Sequence, residues 1–191
     1  SGVVLHSRDA GQSWELQLDG RRTAPDMVAF YQGLANGGDA SAAALAQELP
    51  INWQDGPEQP WLGAWFENEQ RGFVSGSFNL MLETRDGGRS WTPWTHRVEN
   101  PDGLHLNAVE HIGAALYLPS ERGVVFRMRA GEERFTALQT GYAGTFFGIC
   151  GDERVLLAYG LRGTVYASQD QGESWSALRP AMPVALTACT R

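Results

Sequence analysis

The chain has 191 residues, 42% of them hydrophobic and 19% charged, with a formal net charge of −7. This composition describes a globular domain with its own core rather than a disordered segment. The negative charge argues against nucleic acid as the partner, and no apolar run approaches the roughly 20 residues of a membrane-spanning helix.

The 23 glycines and 7 tryptophans, with short apolar runs between turns, favour many short strands. All 15 basic residues are arginine. The codon bias of a GC-rich genome explains this plainly; planar, multidentate anion recognition is the sharper reading.

The first element surrounds "HSRDAGQSWELQ", which places Ser7, Asp9, Gly11 and Trp14 at fixed intervals. The pattern returns as Thr84, Asp86, Gly88 and Trp91, and again as Ser168, Asp170, Gly172 and Trp175. The three aspartates lie 77 and 84 residues apart, about two propeller-blade lengths of ~40 each. A worn copy fills the second gap. Sliding residues 163–178 back by 40 puts Tyr166 on Phe126, Trp175 on Phe135 and Leu178 on Leu138, while Met128, Ala130 and Glu132 replace the turn residues.

A four-stranded unit repeating every ~40 residues is a β-propeller blade. Residues 2–18 are the two outer strands of one blade, and complete blades follow at 60–97, 104–139 and 143–180. In the last of these the strands are expected at 144–150, 154–159, 163–168 and 175–178. Residues 184–190 read as the innermost strand of a further blade. The fold class is therefore all-β: a partial propeller ring of about four blades in one domain, expected to be a fragment of a longer chain. Open blade edges would also allow self-association.

Between the first two units sits an insertion, 20–58. "PDMVAFYQGLANGG" has Met27, Phe30, Tyr31 and Leu34 at helical spacing, with Asp26 able to cap and Gly37-Gly38 able to end the helix. "DASAAALAQELP" adds a second helix with Asp39 or Ser41 at its start and Pro50 as a stop. An irregular stretch with Trp53 follows.

The recurring motif is read as architecture. Its aspartate can accept backbone N–H bonds in the turn between the third and fourth strands, its glycine permits positive φ, and its tryptophan packs between sheets. Aspartates that recur once per blade cannot converge on one substrate, and the spacing lacks the oxygen-ligand density of a calcium loop.

S-x-D-x-G-x-S/T-W is the Asp-box, or bacterial neuraminidase repeat. Strings such as "GFVSGSFNLMLETRDGGRSWTPW" and "GLRGTVYASQDQGESW" resemble the photosystem II assembly and stability factor-like branch of Asp-box propellers. The resemblance covers 2–18 and 60–190. It implies a seven-bladed, exported (periplasmic in a bacterium), non-enzymatic assembly or scaffold protein with a protein partner, such as a membrane protein or envelope complex.

Topology assigns the insertion to the face that carries the turns between second and third strands. Phe30, Tyr31, Trp53, Phe78, Arg122 and Arg162 are the candidate partner surface, with the two arginines at equivalent positions 40 residues apart. The competing reading is that the helices merely cover that face.

The rival function is a sialidase-like glycosidase or carbohydrate-binding propeller. It requires an arginine cluster and a tyrosine nucleophile with an acidic partner. Tyr117, Tyr142, Tyr159 and Tyr166 fall mostly in strand frames, and no arginine carries a sialidase motif. No catalytic residue, metal site or cofactor is expected: His6, His96, His105 and His111 show no ligand spacing. Cys150 and Cys189 are read as buried free thiols on neighbouring inner strands.

Overall fold

A computed structural model describes residues 2–52, 59–178 and 184–189. The chain forms a two-stranded hairpin and three four-stranded antiparallel meanders, with two helices between the hairpin and the first meander. This is a partial β-propeller with a helical insertion.

The hairpin pairs β1 (Val3–His6) with β2 (Glu15–Asp19). The first meander is β3 (Trp61–Phe66), β4 (Gly72–Gly76), β5 (Met81–Thr84) and β6 (Thr92–Pro93). The second is β7 (Glu110–Ile112), β8 (Ala115–Pro119), β9 (Val124–Arg129) and β10 (Thr136–Gln139). The third is β11 (Phe146–Gly151), β12 (Leu156–Gly160), β13 (Val165–Ser168) and β14 (Ser176–Leu178). In each meander, sequence order is also the order across the sheet. Tight turns between short apolar runs permit only this path.

Backbone contacts divide the chain into two compact units. Ser1–Trp61, Phe66–Phe73 and Met81–His96 form the first; Leu62–Trp65, Val74–Leu80 and Arg97–Arg191 form the second. The insertion brings a core of its own, because its first helix packs on the second and on β2 and β6.

In the first unit, α1 (Gly20–Asn36) starts six residues before the expected cap. Asp19 leaves β2 in an extended conformation and its carboxylate accepts the Arg21 N–H at 2.9 Å, so Asp19 caps the helix and Asp26 lies inside it. Gly37 and Gly38 end it as expected, with Gly38 at φ 96°. Asp39 caps α2 (Ala40–Asn52) through the Ala42 N–H at 3.0 Å, and the helix continues past Pro50 to Asn52. Ala24, Met27, Tyr31, Ala42 and Leu49 are buried.

The second unit centres on Ile112, Tyr117, Val125, Phe146, Ile149, Leu156 and Ala158, with Tyr142, Tyr166 and Trp175 packed against them. Consecutive repeats are tied by the same backbone bond. Leu106 donates to the Gly76 carbonyl at 3.0 Å, Phe146 to Ser120 at 2.9 Å and Leu186 to Gly160 at 2.9 Å. Residues 184–189 form no strand among the described residues, yet Leu186 makes the same inter-repeat bond as Leu106 and Phe146.

Candidate functional site

The three Asp-box turns share one hydrogen-bond pattern. The Ser7, Thr84 and Ser168 hydroxyls donate to the Asp9, Asp86 and Asp170 carboxylates at 2.9, 3.0 and 2.8 Å. The same hydroxyls accept the Gly11, Gly88 and Gly172 N–H at 2.7, 2.8 and 2.8 Å. Each carboxylate also takes both the N–H and the hydroxyl of the serine four residues on: Ser13, Ser90 and Ser174. These bonds, led by the serine hydroxyl, hold all three carboxyls down at about 2. Three of the roughly four lone-pair sites of each carboxylate are taken inside its own turn, which leaves little with which to collect substrate or metal.

The tryptophans differ. Trp175 packs on the second unit's core and donates its indole N–H to Gly172 at 2.9 Å. Trp91 meets Phe66 edge-on at 6.3 Å. Trp14 does not pin a sheet as expected: it is 61% exposed, since a two-stranded hairpin offers less surface to pack on. In the worn copy Phe135 is fully buried, and its backbone bonds Arg97 and Glu99 at 2.8 and 3.0 Å. There the Glu132 carboxylate takes the Arg129 N–H at 2.8 Å, a different chemistry for the same turn.

The second unit carries three equivalent turns between second and third strands. The paired positions are Phe78-Asn79 at φ 53° and 61°, Arg122-Gly123 at 53° and 70°, and Arg162-Gly163 at 56° and 70°. Each turn closes with the same bond: Leu80 to Ser77, Val124 to Glu121 and Thr164 to Leu161. Two consecutive left-handed residues suit the twist of a hairpin, and Asn or Gly at the second position is ordinary. A phenylalanine or arginine at the first is strained.

Phe78 is 49% exposed with its ring 4.8 Å from His105. Arg122 reaches Asp102 at 3.0 Å, both well exposed, and Arg162 is exposed as well. The backbone repeat thus presents these three predicted residues in equivalent settings.

The insertion residues lie in the first unit, and there Tyr31 corrects the expectation. It is fully buried, edge-on to Phe30 at 5.2 Å and His96 at 5.5 Å, and burial pushes its phenol up to about 12. It builds core and cannot meet a partner. Phe30 is half-buried beside it, and Trp53 lies outside the described residues.

The cysteines are a second correction. Cys150 and Cys189 form a disulfide with Cα atoms 6.3 Å apart. Cys150 is half-buried and Cys189 exposed, so they are neither free nor core thiols. The Leu186 to Gly160 bond holds the backbones within bridging range.

Sequence reasoning also missed Arg127. It is almost wholly buried and donates to the Gln171 carbonyl at 2.5 Å and to Glu173 at 2.8 Å, with Arg129 joining Glu173 at 2.7 Å. Those arginines hold the Glu173 carboxyl below its usual range. An arginine in an alternating strand frame gives no signal that its partner is the next Asp-box turn.

Beside this cluster a cleft of about 360 Å³ is lined by Tyr117, Arg129, Asp152, Glu153 and Gln171. Burial pushes the Tyr117 and Tyr159 phenols up, away from the phenolate a nucleophile needs. Among the described residues no group of three or more His, Cys, Asp or Glu could hold a metal ion.

Residues 56–184 match the family described as photosynthesis system II assembly factor YCF48. The chain belongs to that family. A curated YCF48-family relative, the photosystem II assembly lipoprotein Ycf48 of Synechococcus sp. (strain CC9902), is 28% identical over 116 residues, 59% of this chain and 34% of that protein.

Two solved YCF48 structures share the fold. YCF48 from Cyanidioschyzon merolae aligns at a TM-score of 0.52 and 20% identity, covering 65% of this chain and 38% of that one. YCF48 bound to D1 peptide aligns at 0.56 and 22%, covering 65% and 41%. The chain therefore spans little more than a third of the length of these relatives.

Proposed function

We propose that this YCF48-family chain is a protein-binding assembly factor rather than an enzyme. Its candidate partner surfaces are the turns of Phe78, Arg122 and Arg162 in the second unit and, taken by itself, the helical insertion at 20–58 in the first. One observation carries the reading: three consecutive sheets place a bulky, exposed side chain at the same left-handed position, where glycine would be relaxed. Strain maintained in triplicate at a surface points to use.

The chemistry favours an extended peptide with carboxylates for the arginines and an apolar side chain for Phe78. One YCF48 relative is described as bound to D1 peptide, which makes a D1-type peptide the first probe. The lipoprotein relative supports an exported location.

Fluorescence anisotropy with an acidic peptide tests the reading. The Arg122→Ala/Arg162→Ala double variant is expected to bind about tenfold more weakly, the loss of roughly 1.4 kcal/mol. Deletion of 20–58 should lower capture while the sheets stay folded. Unchanged affinity in both variants would remove the proposed surface. Robust turnover of a fluorogenic sialic acid substrate would favour the glycosidase instead.

A further inference from the structure

We propose that the Cys150–Cys189 disulfide is a reversible latch, cleaved by a dithiol oxidoreductase, that holds residues 184–189 against β11 and β12. The repeat supplies the argument. Leu106, Phe146 and Leu186 make the same inter-repeat backbone bond, and Leu106 and Phe146 are fully buried where they make it. Leu186 is only half-buried, and every other described residue of 184–189 is exposed. This copy gains little from apolar burial, and it alone carries a covalent tie: the chain has two cysteines, and both are in it.

The bond is asymmetric in access. Cys189 is exposed and Cys150, on β11, is half-buried. A thiolate of a Cys-x-x-Cys dithiol attacks Cys189 Sγ, forming a mixed disulfide. The electron pair of the broken bond leaves on Cys150 Sγ, which takes a proton from water. The second thiol of the dithiol then closes on its neighbour's sulfur and releases Cys189 as a thiol. The latch gains two electrons and two protons, and the dithiol becomes a disulfide. Release leaves the Gly160 carbonyl without its Leu186 donor, on a sheet that is otherwise untouched.

The test uses the intact folded chain, with dithiothreitol and a thioredoxin-type Cys-x-x-Cys protein as reductants. Iodoacetamide trapping is expected to label both cysteines while near-UV circular dichroism stays native. Amide exchange across 184–189 should rise about tenfold or more on reduction, with β8 and β9 unchanged. Cys189→Ser should show the raised exchange without reductant; should that variant fold poorly, reduction of the unmodified chain still decides. A disulfide that resists both reductants until the protein unfolds would overturn the latch. So would cleavage that leaves exchange at 184–189 unaltered.

Discussion

Ser174 binds Asp170 twice, its N–H to Oδ1 at 2.9 Å and its hydroxyl to Oδ2 at 2.5 Å. Ser13 with Asp9 and Ser90 with Asp86 repeat the arrangement. These bonds favour the ionised carboxylate and lower each folded pKa from 3.8 to about 2. The contribution to stability is therefore complete above pH ~4 and fades as pH falls towards ~2. Thermal melts should show a falling midpoint across that window. Asn at positions 9, 86 and 170 should lower the neutral-pH midpoint and flatten the acid slope; an unchanged slope would detach the turns from acid stability.

The hydroxyl that opens each box should matter in proportion to its burial. Thr84 is buried and its Oγ1 accepts the Gly88 N–H in a buried setting, whereas the Ser7 to Gly11 bond is exposed. Thr84→Val strands a buried donor and should cost about 1–3 kcal/mol. Ser7→Ala lets water take the bond and should fall within about 0.5 kcal/mol of the parent. Urea midpoints of the two variants give the comparison.

The repeat was legible because its markers are backbone demands. A turn needing positive φ selects glycine, a turn needing acceptors selects aspartate, and both recur with the blade period. The same logic placed Arg122 and Arg162 in matching turns. It missed what depends on partners distant in sequence: Tyr31 lies in the helix's apolar stripe, but its burial against His96 is a tertiary choice. The start of α1 was missed for a local reason, since Asp19 reads as the end of a strand until its carboxylate is seen to cap. The disulfide depended on the docking of 184–189, and spacing alone does not fix that distance.

Packing, not turn chemistry, should carry the worn repeat. Phe135 is fully buried, and its turn lacks the serine and aspartate of its sisters and carries its glycine, Gly131, one position earlier. Phe135→Ala should lose about 3–5 kcal/mol. Trp14→Ala removes a larger side chain from an intact Asp-box, yet with 61% of it already in water it should lose far less. Equal losses in chemical denaturation would mean that the motif, rather than burial, ranks these sites.

Glycine in place of arginine at the strained turn position should separate stability from binding. Arg162 sits at φ 56°, ψ 34°, followed by Gly163 at φ 70°. Arg162→Gly removes the Cβ penalty of the left-handed conformation, worth about 1 kcal/mol, less the entropy a new glycine adds to the unfolded chain. The variant should be as stable as the parent or slightly more so, while losing affinity for an acidic peptide. Gly123→Ala is the converse. It occupies φ 70°, and an added Cβ would run into the Tyr142 carbonyl, so on the order of 1–3 kcal/mol should be lost. A destabilised Arg162→Gly would mean that the arginine supports the fold, and the case for a surface kept strained for recognition would fail.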